Sequence, residues 1–186
     1  ELDRIYTEFG NNGNALNGSA MLGLRKPVVA WSYNETLRQP DPDAFMQRHL
    51  HLGAFPTAPY PNNNHCINPS PEADQLYLAY GPLLNSMRGK KWVLAPRCVE
   101  STTPAVKVNL FEVPGGYALP ITFGGGASTA TVQLRNLPGM EKLAASAILP
   151  GAGAPIHVVT TIKDGVLTLT VPLARGCAMV KLVPAR

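Results

Sequence analysis

The chain has 186 residues, 45% of them hydrophobic and 15% charged, which is the composition of a globular protein of one or two domains and excludes a disordered chain. Its formal net charge of +4 arises within residues 101–186, where seven Lys and Arg residues accompany three Asp and Glu residues. These cations are scattered and not clustered with aromatic residues, so nucleic-acid binding is not expected. No stretch approaches the roughly 20 apolar residues of a membrane span, and none has the pattern of a signal peptide.

The first half of the sequence alternates between predicted strands and helices. In chain order, the predictions are a strand at 2–8, a helix at 14–25, a strand at 27–32, a helix at 44–52, a bent strand at 54–60 and a helix from Pro71 to about residue 89. Asp43 is expected to cap the second helix and Gly53 to end it. Alternation of this kind is typical of a parallel sheet.

Three βα units can neither close a barrel nor cover both faces of a sheet. Either partner strands lie outside this chain, or the unit is an unusually small open three-layer sheet. We favour the first interpretation, since an uncovered apolar sheet edge is a liability. A sequence that begins at Glu1 and not at Met, directly before a predicted strand, indicates a truncated or processed amino terminus.

After residue 96 the pattern changes to short strands separated by turns that contain Gly and Pro. The predicted strands are 105–113, 116–123, 129–134, 143–148, 157–163, 166–171 and 178–183. Asp164-Gly165, between two alternating runs, is the strongest hairpin signal. We therefore predict an α/β plus all-β protein, with βα units in residues 1–98 and an antiparallel β-sandwich in residues 99–186.

Polar and aromatic residues follow each predicted strand of the first half, where sites lie in parallel βα architectures. The candidates are Glu8 at the end of the first strand, Trp31, Asn34 and Glu35 at or after the end of the second, and Tyr60, Asn62, Asn64 and His65 at or after the end of the third. Amides and carboxylates bind hydroxyl groups, and flat rings cover the apolar face of a sugar, so the mixture suits carbohydrate recognition. Glycoside hydrolysis needs two carboxyl groups, which makes Glu8 and Glu35 the catalytic candidates and the other six substrate-binding candidates.

Each of these residues also has a structural interpretation. Glu8 can form a salt bridge or cap its loop, and Glu35 can be an ordinary surface charge. Trp31 can belong to a core, and His65 to a solvated loop. The sequence alone leaves these alternatives open.

Four further titratable residues are expected to be structural. Asp41 and Asp43 are interpreted as turn and N-cap residues, and His49 and His51, inside a helix, as surface or packing residues. No Gly-x-Gly-x-x-Gly, phosphate-binding loop, nucleophile elbow or zinc-ligand spacing occurs, so we predict no cofactor and no metal.

The three cysteines are Cys66, Cys98 and Cys177, an odd number without metal-binding spacing. A Cys66–Cys98 disulfide is possible, and three separate, partly buried thiols are favoured.

The layout resembles the carboxy-terminal part of a TIM-barrel glycoside hydrolase. Residues 26–31, 53–60 and 80–84 resemble the last three βα units of such a barrel, and residues 96–186 resemble the antiparallel sandwich that often follows it. The resemblance covers most of the chain. It implies a partial (β/α) barrel, a carbohydrate substrate and a secreted or periplasmic location. It also leaves open that the main catalytic residues lie upstream of Glu1.

Three functional hypotheses follow. The leading one is a glycoside hydrolase fragment that acts on or binds carbohydrate at the carboxyl ends of the βα strands. The second is a non-catalytic carbohydrate-binding or structural module, although the sandwich half has no Trp and only Phe111, Tyr117 and Phe123 as aromatic residues. The third is a barrel enzyme acting on another class of substrate, because fold does not fix function. The sugar, the stereochemical outcome and the oligomeric state are not predicted.

Overall fold

The first half of the chain forms a small parallel sheet with helices between its strands. The computed structural model describes residues 4–7, 13–31, 41–57 and 71–185. Its elements in this half are β1 (Ile5–Thr7), α1 (Gly13–Leu22), β2 (Val28–Ala30), α2 (Pro42–Leu52), β3 (Ala54–Pro56) and α3 (Pro71–Asn85). The strands pair in the order β1-β2-β3, all parallel, with Ile5, Val28 and Ala54 in register. The predicted strand–helix alternation and parallel pairing are therefore confirmed, and the described residues form no closed barrel.

Helix α2 shows how local sequence sets its own ends. Asp41 and not Asp43 is the N-cap, and its Oδ1 accepts a hydrogen bond of 2.9 Å from the Ala44 amide. The prediction of Asp43 as the cap was wrong because Pro42, which lacks an N–H and has a fixed φ, takes the first helical position and leaves the preceding residue as the cap. At the other end Gly53 adopts a left-handed φ of 65°, as predicted for a C-cap glycine.

Helix α3 buries one apolar face. Leu76, Tyr80, Leu83 and Leu84 are buried along it, at the three- and four-residue intervals of one helical face. Pro82 lies inside the helix and is exposed.

The second half contains eleven strands among the described residues. They are β4 (Lys91–Trp92), β5 (Val99–Ser101), β6 (Lys107–Val108), β7 (Phe111–Val113), β8 (Gly116–Thr122), β9 (Thr129–Leu134), β10 (Leu143–Ile148), β11 (Ile156–Val158), β12 (Thr160–Lys163), β13 (Val166–Pro172) and β14 (Ala178–Pro184). Seven of them form a sheet in the order β11-β10-β14-β8-β7-β4, with β6 paired to β8, and four form a second sheet in the order β12-β13-β9-β5. All of these pairs are antiparallel.

The two antiparallel sheets enclose one apolar core, as the sandwich prediction required. Leu119 and Val180 of the seven-stranded sheet and Val132 and Leu169 of the four-stranded sheet all belong to this cluster and are fully buried. The β12–β13 hairpin turns at Asp164-Gly165, whose φ angles of 51° and 72° are both positive, as a type I′ turn requires. The predicted hairpin is confirmed.

A third layer covers the other face of the seven-stranded sheet. Helices α2 and α3 pack Met46 and Leu83 against Phe111 and Met179 of that sheet, and all four side chains are fully buried. The sheet is thus a middle layer that is buried on both faces. This is why the sequence of β8 is nearly all apolar. Strand β4 already belongs to this sheet, so the chain enters it before the predicted domain boundary between residues 98 and 99, which remains a prediction.

Candidate functional site

The carboxyl ends of the three parallel strands lie at one edge of their sheet. Thr7, Ala30 and Pro56 are register partners across β1, β2 and β3. The ladder continues one residue further, because the Trp31 amide donates to the Thr7 carbonyl at 2.9 Å and the Thr57 amide donates to the Ala30 carbonyl at 2.8 Å. Neighbouring strands are about 5 Å apart, so Trp31 and Thr57 leave this edge side by side.

Among the predicted site residues, the structure describes Trp31. It is partly buried and directly follows β2 at the carboxyl edge. The remaining candidates, Glu8, Asn34, Glu35, Tyr60, Asn62, Asn64 and His65, lie outside the described residues, so their roles remain predictions.

Tyr77 of α3 holds the chain at this edge of the sheet by a hydrogen bond. Its hydroxyl donates a hydrogen bond to the carbonyl oxygen of Thr57, the last described residue before the segment that contains Tyr60 and His65. The sequence gives no sign of this role, because Thr57 and Tyr77 are 20 residues apart and local periodicity cannot predict a contact over that separation.

A polar network holds the start of α2, where the chain returns from the segment after β2. Asp43 accepts a hydrogen bond of 2.7 Å from the Tyr80 hydroxyl and forms an ion pair of 2.7 Å with Nε of Arg175. Gln47 joins the network by donating to Tyr80 Oη at 3.2 Å and to the Arg175 carbonyl at 2.7 Å. Burial, and then the hydrogen bond to Asp43, raise the pKa of Tyr80 far above its ordinary value. Tyr80 therefore stays neutral, and both Asp41 and Asp43 have structural partners, as predicted.

Burial keeps the two histidines of α2 neutral. His49 is fully buried, and burial lowers its pKa to about 4. His51 is partly buried and its pKa is also lowered to about 4, first by burial and then by the charge of Lys107. Both are therefore neutral near pH 7.

Neither described cysteine is a candidate nucleophile. Cys98 and Cys177 are buried free thiols, and burial raises the pKa of each. Within the described ranges, no group of three or more His, Cys, Asp or Glu side chains could hold a metal ion. No helix there is long and apolar enough to cross a membrane.

Comparison with known proteins yields similarity in structure alone. No protein-family model matches the chain, and no curated protein does. A GH30 endoxylanase from Clostridium papyrosolvens C71 matches with a TM-score of 0.54 and 13% identity over 99% of this chain and 49% of that one. The catalytic domain of GH30 xylanase C from Talaromyces cellulolyticus matches with a TM-score of 0.49 and 14% identity, over 100% of this chain and 46% of that one. An alpha-fucosidase from Thermotoga maritima matches with a TM-score of 0.47 and 9% identity, over 98% and 43%.

The chain spans about half the length of each of these three structures. The match to the endoxylanase includes both the βα units and the antiparallel sheets, since it covers 99% of the chain. The resemblance to a glycoside hydrolase that the sequence predicted is thus confirmed at the level of the fold.

Proposed function

We propose that the chain is the carboxy-terminal part of a glycoside hydrolase-like protein, with a carbohydrate site at the carboxyl ends of β1, β2 and β3. The observation that carries the proposal is the fold shared, over nearly the whole chain, with half of a GH30 endoxylanase. Since one fold can host many functions, the proposal of a carbohydrate site also depends on the chemistry of the residues at the strand ends. A secreted or periplasmic location is part of the same proposal.

The two faces of the parallel sheet support a partial barrel. Val28, Ala30 and Ala54 are fully buried and share a core cluster with Leu16 of α1. On the opposite face Tyr6, Val29 and Phe55 are register partners, and Tyr6 is 55% exposed. The first face is covered by α1, while the row on the other face is exposed at Tyr6 and packs at Phe55 against the cluster of α2 and α3. In a barrel such a row points inward, where side chains of the other strands fill the interior.

In this proposal the carboxylates at the strand ends catalyse hydrolysis, and the other candidate residues bind the sugar. Glu8 and Glu35 are the proposed acid and base or nucleophile, the pair that hydrolysis of a glycosidic bond requires. Trp31 is the proposed ring platform, supported by its place at the carboxyl edge and its partial burial. Asn34, Tyr60, Asn62, Asn64 and His65 are proposed to bind sugar hydroxyl groups.

The carboxylate roles are tested with Glu8→Gln and Glu35→Gln in the protein encoded by the whole reading frame. Loss of a general acid or base lowers turnover by about 100-fold or more, while the isosteric amide preserves binding. Release of reducing sugar from a panel of polysaccharides, xylan among them, measures turnover. Glu112→Gln is the matched control, since Glu112 is an exposed sandwich carboxylate paired with Lys91 at 3.5 Å. If neither Glu variant loses at least about tenfold in turnover, the catalytic assignment is wrong.

The platform role of Trp31 distinguishes an enzyme from a binding module. Trp31→Ala should weaken retention on the polysaccharide bound by the wild type, and Trp31→Phe, which keeps a ring, should restore much of it. Retention without any hydrolysis by the wild type would favour the non-catalytic module. Absence of both binding and hydrolysis across the panel would overturn the proposal.

A further inference from the structure

A cavity lies where the βα units meet the sandwich, and none of the candidate strand-end residues lines it. We call it the interface cleft; it has a volume of about 460 Å³ and is lined by Asn17, Arg48, His51, Trp92, Lys107 and Phe123, among other residues. These come from α1, α2, β4, β6 and the residue after β8. Its size falls within the range of small-molecule sites.

Backbone contacts hold the walls of the interface cleft in place. The Trp92 amide donates to the Leu24 carbonyl at 2.8 Å, and Asn109 Nδ2 donates to the His51 carbonyl at 2.7 Å. The Trp92 ring also packs edge-on against Phe111, with ring centroids 5.5 Å apart. The cleft is thus preformed by contacts between elements distant in the chain.

The formal charges of the interface cleft are positive. Arg48 and Lys107 both line it, no acidic side chain does so among the described residues, and neither cation forms an ion pair with a described residue. His51, which also lines the cleft, is neutral because burial and then the Lys107 charge lower its pKa to about 4. The cleft therefore presents two positive charges to a ligand and no negative one.

Phe123 gives the interface cleft a strained aromatic wall. It is a bulky residue with a left-handed φ of 60°, a conformation that is unfavourable for such side chains. The Gln47 side chain holds it there by accepting a hydrogen bond of 2.6 Å from the Phe123 amide. Its ring meets His51 edge-on at 6.3 Å and lies 5.4 Å from Lys107 Nζ. Backbone strain of this kind is concentrated at ligand sites.

We propose that the interface cleft binds a small organic anion, with its acidic group between Arg48 and Lys107 and its ring or sugar body against Trp92 and Phe123. The proposal does not depend on the proposed carbohydrate site.

Calorimetric titration of the protein with benzoate and with galacturonate tests the proposal, and neutral galactose serves as the uncharged probe. Benzoate and galacturonate share a carboxylate on a six-membered ring, so binding of either supports the site and identifies its source as aromatic or sugar-derived. We expect Arg48→Gln and Lys107→Gln each to weaken binding about tenfold. Trp92→Ala, which removes the ring against which the ligand body lies, should weaken it as well.

Lys163→Gln is the matched control, because Lys163 is an exposed cation of β12 that does not line the interface cleft. It should leave the affinity unchanged. Arg48 and Lys107 are not fully buried, so their Gln variants are expected to fold, which circular dichroism checks. The proposal is overturned if neither anion binds, if galactose binds as tightly as the anions, or if Lys163→Gln weakens binding as much as Lys107→Gln.

Discussion

His49 is a histidine that the fold keeps neutral. Its Nδ1 lies 2.8 Å from the Phe45 carbonyl, so this nitrogen carries the proton, and its buried Nε2 has no partner among the described residues. Burial lowers its pKa to about 4, against the smaller opposing effect of the Phe45 hydrogen bond. Protonation of the folded protein would place an unpaired charge in the cluster beneath α2 and α3.

We predict that His49 makes stability fall as the pH falls from 6.5 to 4. Above pH 6.5 the residue is neutral in both states and contributes no pH dependence. Below pH 6.5 the unfolded chain binds a proton at this residue and the folded chain does not. The free energy of unfolding therefore falls by up to about 3 kcal/mol, and the loss levels off below pH 4. His49→Leu should reduce this slope, measured by urea unfolding at a series of pH values, and the remaining slope should include the contribution of His51, whose pKa is also lowered to about 4. His157→Gln, at an exposed histidine, is the control, and an unchanged slope in His49→Leu would contradict the prediction.

At the scale of elements, alternation predicted the bounds of some sandwich strands and not of others, since the predicted strand 105–113 is two strands, β6 and β7, of the seven-stranded sheet. Strands β9 and β10 have the predicted bounds, because one face of each packs into the core and the other does not. The predicted strand 157–163 is interrupted at Val159, which is 69% exposed. The residues before it pair in the seven-stranded sheet and those after it in the four-stranded sheet. A strand that changes sheets at a corner is set by tertiary packing, so local pattern could not predict it.

Two turns of the sandwich allow conformational strain to be separated from steric overlap. Gly165 and Gly176 have nearly equal φ angles of 72° and 70°, each after a non-glycine residue that also has positive φ. A Cβ at Gly165 would meet open space, whereas one at Gly176 would lie 2.6 Å from the backbone nitrogen of Gly125. We predict that Gly165→Ala costs about 1 kcal/mol and Gly176→Ala distinctly more, since backbone must also shift. Equal losses in denaturant unfolding would show that residues 124–126 move without cost.

At the scale of the whole molecule, the strand-end rule predicted the edge where Trp31 lies but not what supports it. The contacts from Tyr77 to Thr57 and from Gln47 to Phe123 join residues 20 and 76 positions apart. The interface cleft is likewise lined by side chains from α1, α2, β4, β6 and the residue after β8. No local pattern in any of these segments predicts a site. The predicted fold depends on periodicity and turn chemistry, which are local, whereas these sites depend on how the layers pack together.

The shared core between layers predicts that the sandwich is not stable without the helices. Residues 99–186 alone would lack both β4 and the helices that cover Phe111, Ala118, Cys177 and Met179, all of which are fully buried in the whole chain. Exposing this face forfeits about 1.5–3 kcal/mol for each large side chain, so we expect the melting temperature to fall by more than about 10 °C. The isolated fragment should also bind a hydrophobic dye and self-associate. The same fragment with Met179→Lys should bind less dye and remain monomeric, because the substitution places a charge within the uncovered face. If the 99–186 fragment is monomeric, binds no dye and has the melting temperature of the whole chain, the sandwich is instead an independent domain.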